Sequence, residues 1–248
     1  MPRISDAGAR LMEAARTLIW ENSYGSISVD AICQRAGVRK GSFYHFFESK
    51  STLAAEALEA DWQARRAALD EIFSPQSPPL ERLGRYLDHV LDRQVSTHAR
   101  CGCVLGCPIL SLGCEVSTQD PVIRTKVREI LDRQLRYFET AIRDAGAEGS
   151  ITAAQPRVKA RSLYALIQGS LAQARILDDI EVVHGVRAGV CDLLGIAALP
   201  SPIPGTTARV PAGKAKSVHI QASGGMAGIV SDTETMREGR KTSAAARV

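Results

Sequence analysis

Along the first 199 positions apolar residues recur every three or four residues and hardly ever every second one, a period that fits helices and excludes most sheets. Leu11, Ala14, Ala15, Leu18 and Ile19 share one face, as do Leu83, Leu87, Val90 and Leu91, and again Val127, Ile130, Leu131, Leu135 and Phe138. Capping and breaking residues fall between these stretches: Gly25-Ser26, Gly37, Glu48-Ser49, Ser74 to Pro79, Arg100 to Pro108, Thr118 to Pro121, Gly146 to Gly149, and Pro156. The pattern predicts an all-α chain of about nine helices. A short three-helix unit over 1–53 is continued into a larger helical bundle over 54–199.

Composition changes at Pro200. Residues 200–248 begin Pro-Ser-Pro-Ile-Pro-Gly, continue rich in Gly, Ser, Ala and Thr, and contain no Phe, Tyr or Trp. Such a segment buries too little apolar area to offset roughly 1–2 kcal/mol of backbone entropy per residue, so it reads as a flexible, disordered tail. Its Gly224-Gly225-Met226-Ala227-Gly228 run has neither the preceding strand nor the following helix of a nucleotide loop. The tail also holds the whole charge surplus: 24 Lys+Arg face 24 Asp+Glu in 1–199, against 7 and 3 in 200–248. Global charge therefore makes no case for nucleic acid, and local clustering must. No apolar run approaches the ~18 residues of a membrane span, and the basic-then-apolar pattern of a signal peptide is missing; a soluble cytoplasmic protein with no membrane partner is the expectation.

The informative stretch is Ser26 to Leu53. Ser28 is placed to cap a helix, Asp30 complements its dipole, Ile32 and Ala36 form an inner face, and Gly37 stands where a left-handed residue ends it. A second short helix, Arg39 to Phe47, follows, so that two short helices flank a glycine turn as in a helix-turn-helix. Val38, Phe43 and Phe47 are its apolar anchors, Arg39, Lys40, Ser42, Tyr44 and His45 its polar side, and Gly41 allows close backbone approach. Between Arg35 and Lys50 four basic residues face one acid, Glu48, a local charge of about +3. Ser49-Lys50 then opens a helix whose N-terminal N–H groups suit a phosphate. Tyr44 and His45 also fit a reading as plain surface aromatics.

At these residues the chain resembles the TetR family of transcriptional regulators. The run Ser28-Val29-Asp30-Ala31-Ile32, then Ala36-Gly37-Val38, Lys40-Gly41-Ser42-Phe43-Tyr44-His45-Phe46-Phe47 and Ser49-Lys50-Ser51-Thr52-Leu53 follows that family's N-terminal signature over about the first 55 residues. Arg39 departs from it, standing where a Ser or Thr cap is usual. The resemblance implies a DNA-binding regulator, usually a repressor, with Lys40, Gly41, Ser42, Tyr44, His45 and Lys50 at a double-stranded operator and Arg39 and Lys40 reading base edges. A dimer would place two such helices about 34 Å apart and select a palindrome.

Four of the six cysteines, at 101, 103, 107 and 114, lie close together, with Cys33 and Cys191 apart on apolar helix faces. The Cys-x-Cys-x3-Cys spacing lacks the paired Cys-x2-Cys knuckles of zinc sites; reactive thiols, metal ligands and chance all remain open, and no metal is assigned. The segment Gly106-Cys107-Pro108-Ile109-Leu110-Ser111-Leu112-Gly113-Cys114-Glu115-Val116-Ser117 resembles the sensor region of the NemR/AcuR-like branch of the same family. That resemblance makes Cys107, with Cys101 or Cys103 as resolving partner, a candidate sensor of an electrophile or oxidant. Alternatively Cys107 and Cys114 line a pocket for an uncharged organic inducer. Candidate pocket residues are Tyr86, Val90, Cys107, Leu110, Tyr137, Gln168 and Arg175, with Tyr137 and Arg175 supplying polar ends on otherwise apolar helices.

Near the end of the bundle, Leu163, Leu166, Ile167, Ser170, Leu171 and Ala174 form one apolar face and Val182, Val183, Val186, Val190, Leu193 and Leu194 another. Either both helices are interior to a monomer, or residues 157–198 build a homodimer as a four-helix bundle. With histidines only at 45, 89, 98, 184 and 219, no His-Glu-x-x-His, no Gly-x-Ser-x-Gly elbow and no phosphate loop, the chain offers no catalytic constellation and implies no cofactor. The alternative to a DNA-binding regulator is a helical interaction module that binds no DNA.

Overall fold

The computed structural model describes residues 6–200. Within them the chain is helical throughout: α1 (Asp6–Glu21), a 3-10 turn (Tyr24–Ser26), α2 (Val29–Ala36), α3 (Lys40–Phe46), α4 (Lys50–Ile72), α5 (Pro79–Cys101), α6 (Pro108–Val116), α7 (Pro121–Ala147), α8 (Pro156–Leu177), α9 (Glu181–His184) and α10 (Val186–Leu194). Only Gly185 separates the single turn of α9 from α10, so the two read as one bent helix, which makes nine among the described residues. The expected flexible tail falls almost wholly on 201–248, outside the described residues.

The boundaries follow local chemistry. Ser28 caps α2 by accepting from Ala31 N at 3.0 Å, Ser49 caps α4 through Thr52 N at 3.0 Å, and Asp120 caps α7 through Val122 N and Ile123 N. Pro79, Pro108, Pro121 and Pro156 each open a helix, where the missing N–H costs nothing. Gly37 ends α2 at φ 62°, a conformation a side chain would resist. Asp178 adopts φ 50° at the end of α8 without being glycine, and its carboxylate accepts from Val104 N at 2.8 Å, a bond that helps hold it there.

α1, α2 and α3 pack on one another around Leu11, Ile32 and Phe43, with Leu53 of α4 closing that core. α4 runs unbroken across residue 53, so the expected division between an N-terminal unit and a bundle falls inside a rigid rod that both share. Beyond it, α4, α5, α7 and α8 enclose an aromatic centre in which Phe138 touches Phe73, Tyr86 and Tyr164 at centroid separations of 4.8–5.4 Å. Arg82, almost fully buried, reaches from α5 to Asp144 on α7 at 2.7 Å and to the carbonyls of Ser77 and Pro75.

The two apolar faces expected at a dimer are largely consumed by this core. Leu163, Ile167, Leu171 and Ala174 of α8, and Val183, Val186, Val190 and Leu194 of α9 and α10, are all buried within the single chain. What α8 leaves outside is a different set of apolar residues at its two ends. It comprises Val158, Ile176 and Leu177, with the last two 81% and 63% exposed.

Candidate functional site

The second short helix presents what its pattern predicts, with two exceptions. Phe43 and Phe47 are buried, Val38 packs partly against them, and Tyr44 stands 57% exposed with its ring edge-on to Phe43 at 5.1 Å. His45 is exposed beside Phe46, and Ser42 is half-buried. Arg39 holds the capping position without any cap bond from its side chain, and among the described residues neither it nor Arg35 makes an ion pair. A Cβ built on Gly41 would meet nothing within 4 Å, so the close approach this glycine permits is not to another part of the chain.

Lys40 and Lys50 differ from the sequence expectation. Lys40 Nζ lies 2.9 Å from Asp30, whose carboxylate raises its pKa and cancels part of the cationic patch counted along the chain. Lys50 turns inward, donating to Tyr24 O at 3.0 Å and Ile27 O at 2.8 Å and sitting 4.0 Å from the centre of the Tyr24 ring. Burial lowers its pKa. Two of its three donors are spent on the turn that precedes α2, which it ties in place. The freely presented cations are Arg35 and Arg39.

Of the candidate sensor residues, the structure gathers Cys107, Tyr86, Gln168 and Val90 around one small cavity of about 40 Å³ between α4, α5, α6, α7 and α8. Residues not singled out from sequence complete it: Arg65, His89, Arg93, Gln94 and Gln134. Tyr86, His89, Val90 and Arg93 repeat at three-and-four spacing on α5, the signal that would have found them. Gln134 bridges two tyrosines, donating to Tyr86 OH at 2.7 Å and accepting from Tyr164 OH at 3.2 Å. Burial raises both phenols' pKa. Gln168 Oε1 and Arg65 Nη2 are buried without a hydrogen-bond partner, one an acceptor and one a donor. Burial, with the Arg93 and Arg65 charges, depresses His89 to about 4, so it is neutral at pH 7.

The other candidates lie elsewhere. Tyr137 is half-buried in a separate cleft between α4 and α7, bonded to Asp70. Arg175 lines no part of the Cys107 cavity; its Nη1 donates to Leu105 O at 2.9 Å, Ser111 Oγ at 3.2 Å and Trp20 O at 3.3 Å. Leu110 meets Cys107 through its backbone N–H rather than its side chain. Cys101 and Cys103 are half-buried and outside the cavity, Cys114 is exposed, and all six thiols are free. Among the described residues no group of three or more His, Cys, Asp or Glu is arranged to hold a metal.

Cys107 opens α6, a helix N-terminus that should favour a thiolate, yet the net effect is the reverse. Burial pushes its pKa up, and the Leu110 and Ile109 N–H groups with Arg65 and Arg93 only partly offset it. In this state Cys107 is a thiol. Its chain neighbours are firmly held: Gln94 donates to Gly106 O and accepts from Gly106 N, both at 3.1 Å, and the Trp20 indole N–H is shared by the carbonyls of Leu105 and Gly106 at 3.3 Å. Gly106 has φ 64°, and a Cβ there would lie 2.9 Å from Leu171 O. Gly106→Ala is therefore expected to cost about 2 kcal/mol of stability, measured by urea unfolding; a loss below about 0.5 kcal/mol would mean that the loop relaxes freely.

The far end of α6 grips the helix-turn-helix. Glu115 accepts from Ser23 Oγ at 2.5 Å, Gly25 N at 2.7 Å and Tyr24 N at 2.9 Å, and Asp120 just beyond accepts from Ser51 of α4. Burial alone would raise the Glu115 pKa, but the Ser23, Gly25 and Tyr24 bonds together carry it below the ordinary 4.5. The clasp's charge-linked stability is thus fully present above pH 4.5 and is lost as pH falls through the lower folded value. The stability gap between wild type and Glu115→Gln, followed by urea unfolding, is expected to be constant near pH 7 and to shrink below that point.

A recognition helix held by buried aromatics with its polar side open, carried on an all-helical body with an internal cavity, defines a helix-turn-helix transcriptional regulator. Residues 11–57 match the model for bacterial regulatory proteins of the tetR family, and residues 79–190 that for the tetracyclin repressor-like C-terminal domain. The chain belongs to the TetR family, whose members are DNA-binding regulators of transcription and not enzymes. It is 29% identical over 178 residues to the transcriptional regulator AcuR of Cereibacter sphaeroides, covering 71% of this chain and 79% of that one. To the transcriptional repressor NemR of Escherichia coli it is 23% identical over 198 residues, 78% of this chain and 96% of NemR. The crystal structure of reduced E. coli NemR superposes with a TM-score of 0.66 at 27% identity, spanning 79% of this chain and all of that one. A regulatory protein TetR from Rhodobacter sphaeroides gives 0.67 at 26% identity over 76% of this chain and 99% of that one. Among the described residues no helix is long and apolar enough to cross a membrane.

Proposed function

We infer that the chain is a homodimeric repressor that grips a palindromic operator with two copies of α3 and releases it when a small molecule enters the Cys107 cavity. The observation that carries this reading is α6. Its first residue adjoins the cavity at Cys107, and its far end is fastened by Glu115 to the turn before α2. At about 40 Å³ the cavity is far below the ~300–1,000 Å³ usual for small-molecule sites, so an organic effector must spread its walls. Displacing the Gly106–Cys107 corner moves α6, and α6 carries the helix-turn-helix through Glu115 and Asp120. A dimer so strained holds its recognition helices at a spacing that no longer fits adjacent major grooves.

Domains 1–53 and 54–199 serve as reader and sensor in this scheme, and α4 belongs to both. The unpartnered Arg65 Nη2 and Gln168 Oε1 favour an effector bearing an acceptor and a donor over a purely apolar one. The exposed apolar pair Ile176 and Leu177 at the end of α8 supports a dimer contact on the outside of the helix. At the operator, Arg39, Ser42, Tyr44 and His45 make the contacts, with Gly41 against the backbone, Lys40 after exchange from Asp30, and Lys50 as support.

Selection of binding duplexes from a random pool tests the reading. Inverted half-sites centred about one helical turn apart are expected; single half-sites, or no enrichment, reject it. A thiol-reactive signal is the second reading, favoured by the place of Cys107 on the cavity wall. Because desolvation raises the pKa of the half-buried Cys107 thiol, N-ethylmaleimide is expected to label exposed Cys114 well before Cys107, as read by peptide mass spectrometry. If Cys107→Ser protein still leaves the operator under oxidant, the thiol reading is wrong.

A further inference from the structure

We propose that the cleft between α4 and α7 is a second small-molecule site, separate from the Cys107 cavity, for a planar aromatic carboxylate. The cleft measures about 520 Å³, within the ~300–1,000 Å³ usual for small-molecule sites, and shares no lining residue with the Cys107 cavity. Its walls are two matched helical stripes: Glu59, Trp62, Gln63 and Arg66 on α4 at spacing i, i+3, i+4, i+7, and Arg133, Arg136, Tyr137 and Thr140 on α7 at the same spacing. The cleft is therefore a property of two stiff helices rather than of a loose loop.

The floor is aromatic. Tyr137 lies between Trp62 and Phe73, with ring centroids 6.4 Å and 5.2 Å away; Trp62 and Phe73 are nearly buried and back the half-buried Tyr137, whose ring an entering flat ring would meet. The rim is cationic. Glu59 is already held by Gln63 at 2.7 Å, Arg133 at 2.8 Å and Lys126 at 3.2 Å, contacts that together overcome its burial and lower its pKa to about 2. Arg136 makes no ion pair among the described residues, and Arg66 has only a 3.5 Å pair with Asp70 in which both partners are more than half exposed. Two guanidinium forks thus stand open over an aromatic floor. The Tyr137 hydroxyl is engaged by Asp70, so the polar recognition falls to those forks, whose geometry matches a carboxylate. A phenol or a neutral arene would leave them unmet. Because α4 continues from the helix-turn-helix, a ligand wedged here also bears on the reader.

Isothermal titration of the full-length protein with naphthoate at low salt tests the site. Saturable binding of one naphthoate per chain is expected, unchanged in Cys107→Ser protein. Arg66→Gln and Arg136→Gln are each expected to weaken it about tenfold, as is replacing the carboxylate by an uncharged alcohol. Both arginines are exposed, so melting temperatures should match wild type. Absence of saturable binding overturns the proposal, as does undiminished affinity in the Arg66→Gln/Arg136→Gln double variant, which would place the ligand elsewhere.

Discussion

A protein carrying both Arg39→Ala and Tyr44→Ala is expected to bind its operator about a hundredfold more weakly than wild type, with its melting temperature and oligomeric state unchanged. Neither side chain supports the fold. Arg39 makes no cap bond or ion pair, and Tyr44 is mostly exposed, touching Phe43 only edge-on. Losing two contacts worth about 1–3 kcal/mol each accounts for the hundredfold. The slope of log affinity against log salt should also flatten by about one for each phosphate contact removed. Lys50→Ala is the instructive contrast. It too should lose the operator, but with a lower melting temperature, because Lys50 ties Tyr24 and Ile27 in place. Fluorescence anisotropy beside thermal denaturation separates the two. Wild-type affinity in the double variant would mean that α3 is not the reader.

The largest single stability loss is expected at Arg82. Replacing it by leucine removes its bonds to Asp144, Ser77 O and Pro75 O at a site where the arginine is only 4% exposed. A fully buried ion lacking its partner costs about 3–5 kcal/mol, but Asp144 is partly exposed and regains water. A loss of about 2–3 kcal/mol therefore follows, read by urea unfolding at fixed protein concentration. Operator affinity below the transition should stay near wild type, since Arg82 lies in the bundle. A loss under about 1 kcal/mol would mean that the pair merely replaces an equally good apolar contact.

Legibility from the sequence differed sharply between the two halves of the function. The helix-turn-helix was readable because its determinants are local. Ser28 caps within three residues, Gly37 turns the chain where it stands, and Phe43 and Phe47 announce their burial by spacing. Of the candidate pocket residues, Cys107, Tyr86, Val90 and Gln168 come together around one cavity. Arg175 looked like a pocket residue because it is a lone cation on an apolar helix, yet it binds Trp20, distant by 155 residues. Tyr137, likewise a polar end on an apolar helix, stands in another cleft. Charge counting misjudged the reader as well: Asp30 lies outside the counted window but beside Lys40 in space.

By itself the sequence determined the helical class, the reading motif and the cysteine worth attention, because period, caps and turn residues act within a few positions of one another. Tertiary structure alone decided which cations face outward, that the Cys107 thiol is suppressed by burial, and that α6 joins the cavity to the helix-turn-helix through Glu115. It also decided that Leu163, Ile167, Leu171 and Ala174 of α8 and Val183, Val186, Val190 and Leu194 of α9 and α10 belong to the chain's own core. Each of these depends on solvent exclusion and on hydrogen bonds between helices far apart in the chain, which no local pattern encodes.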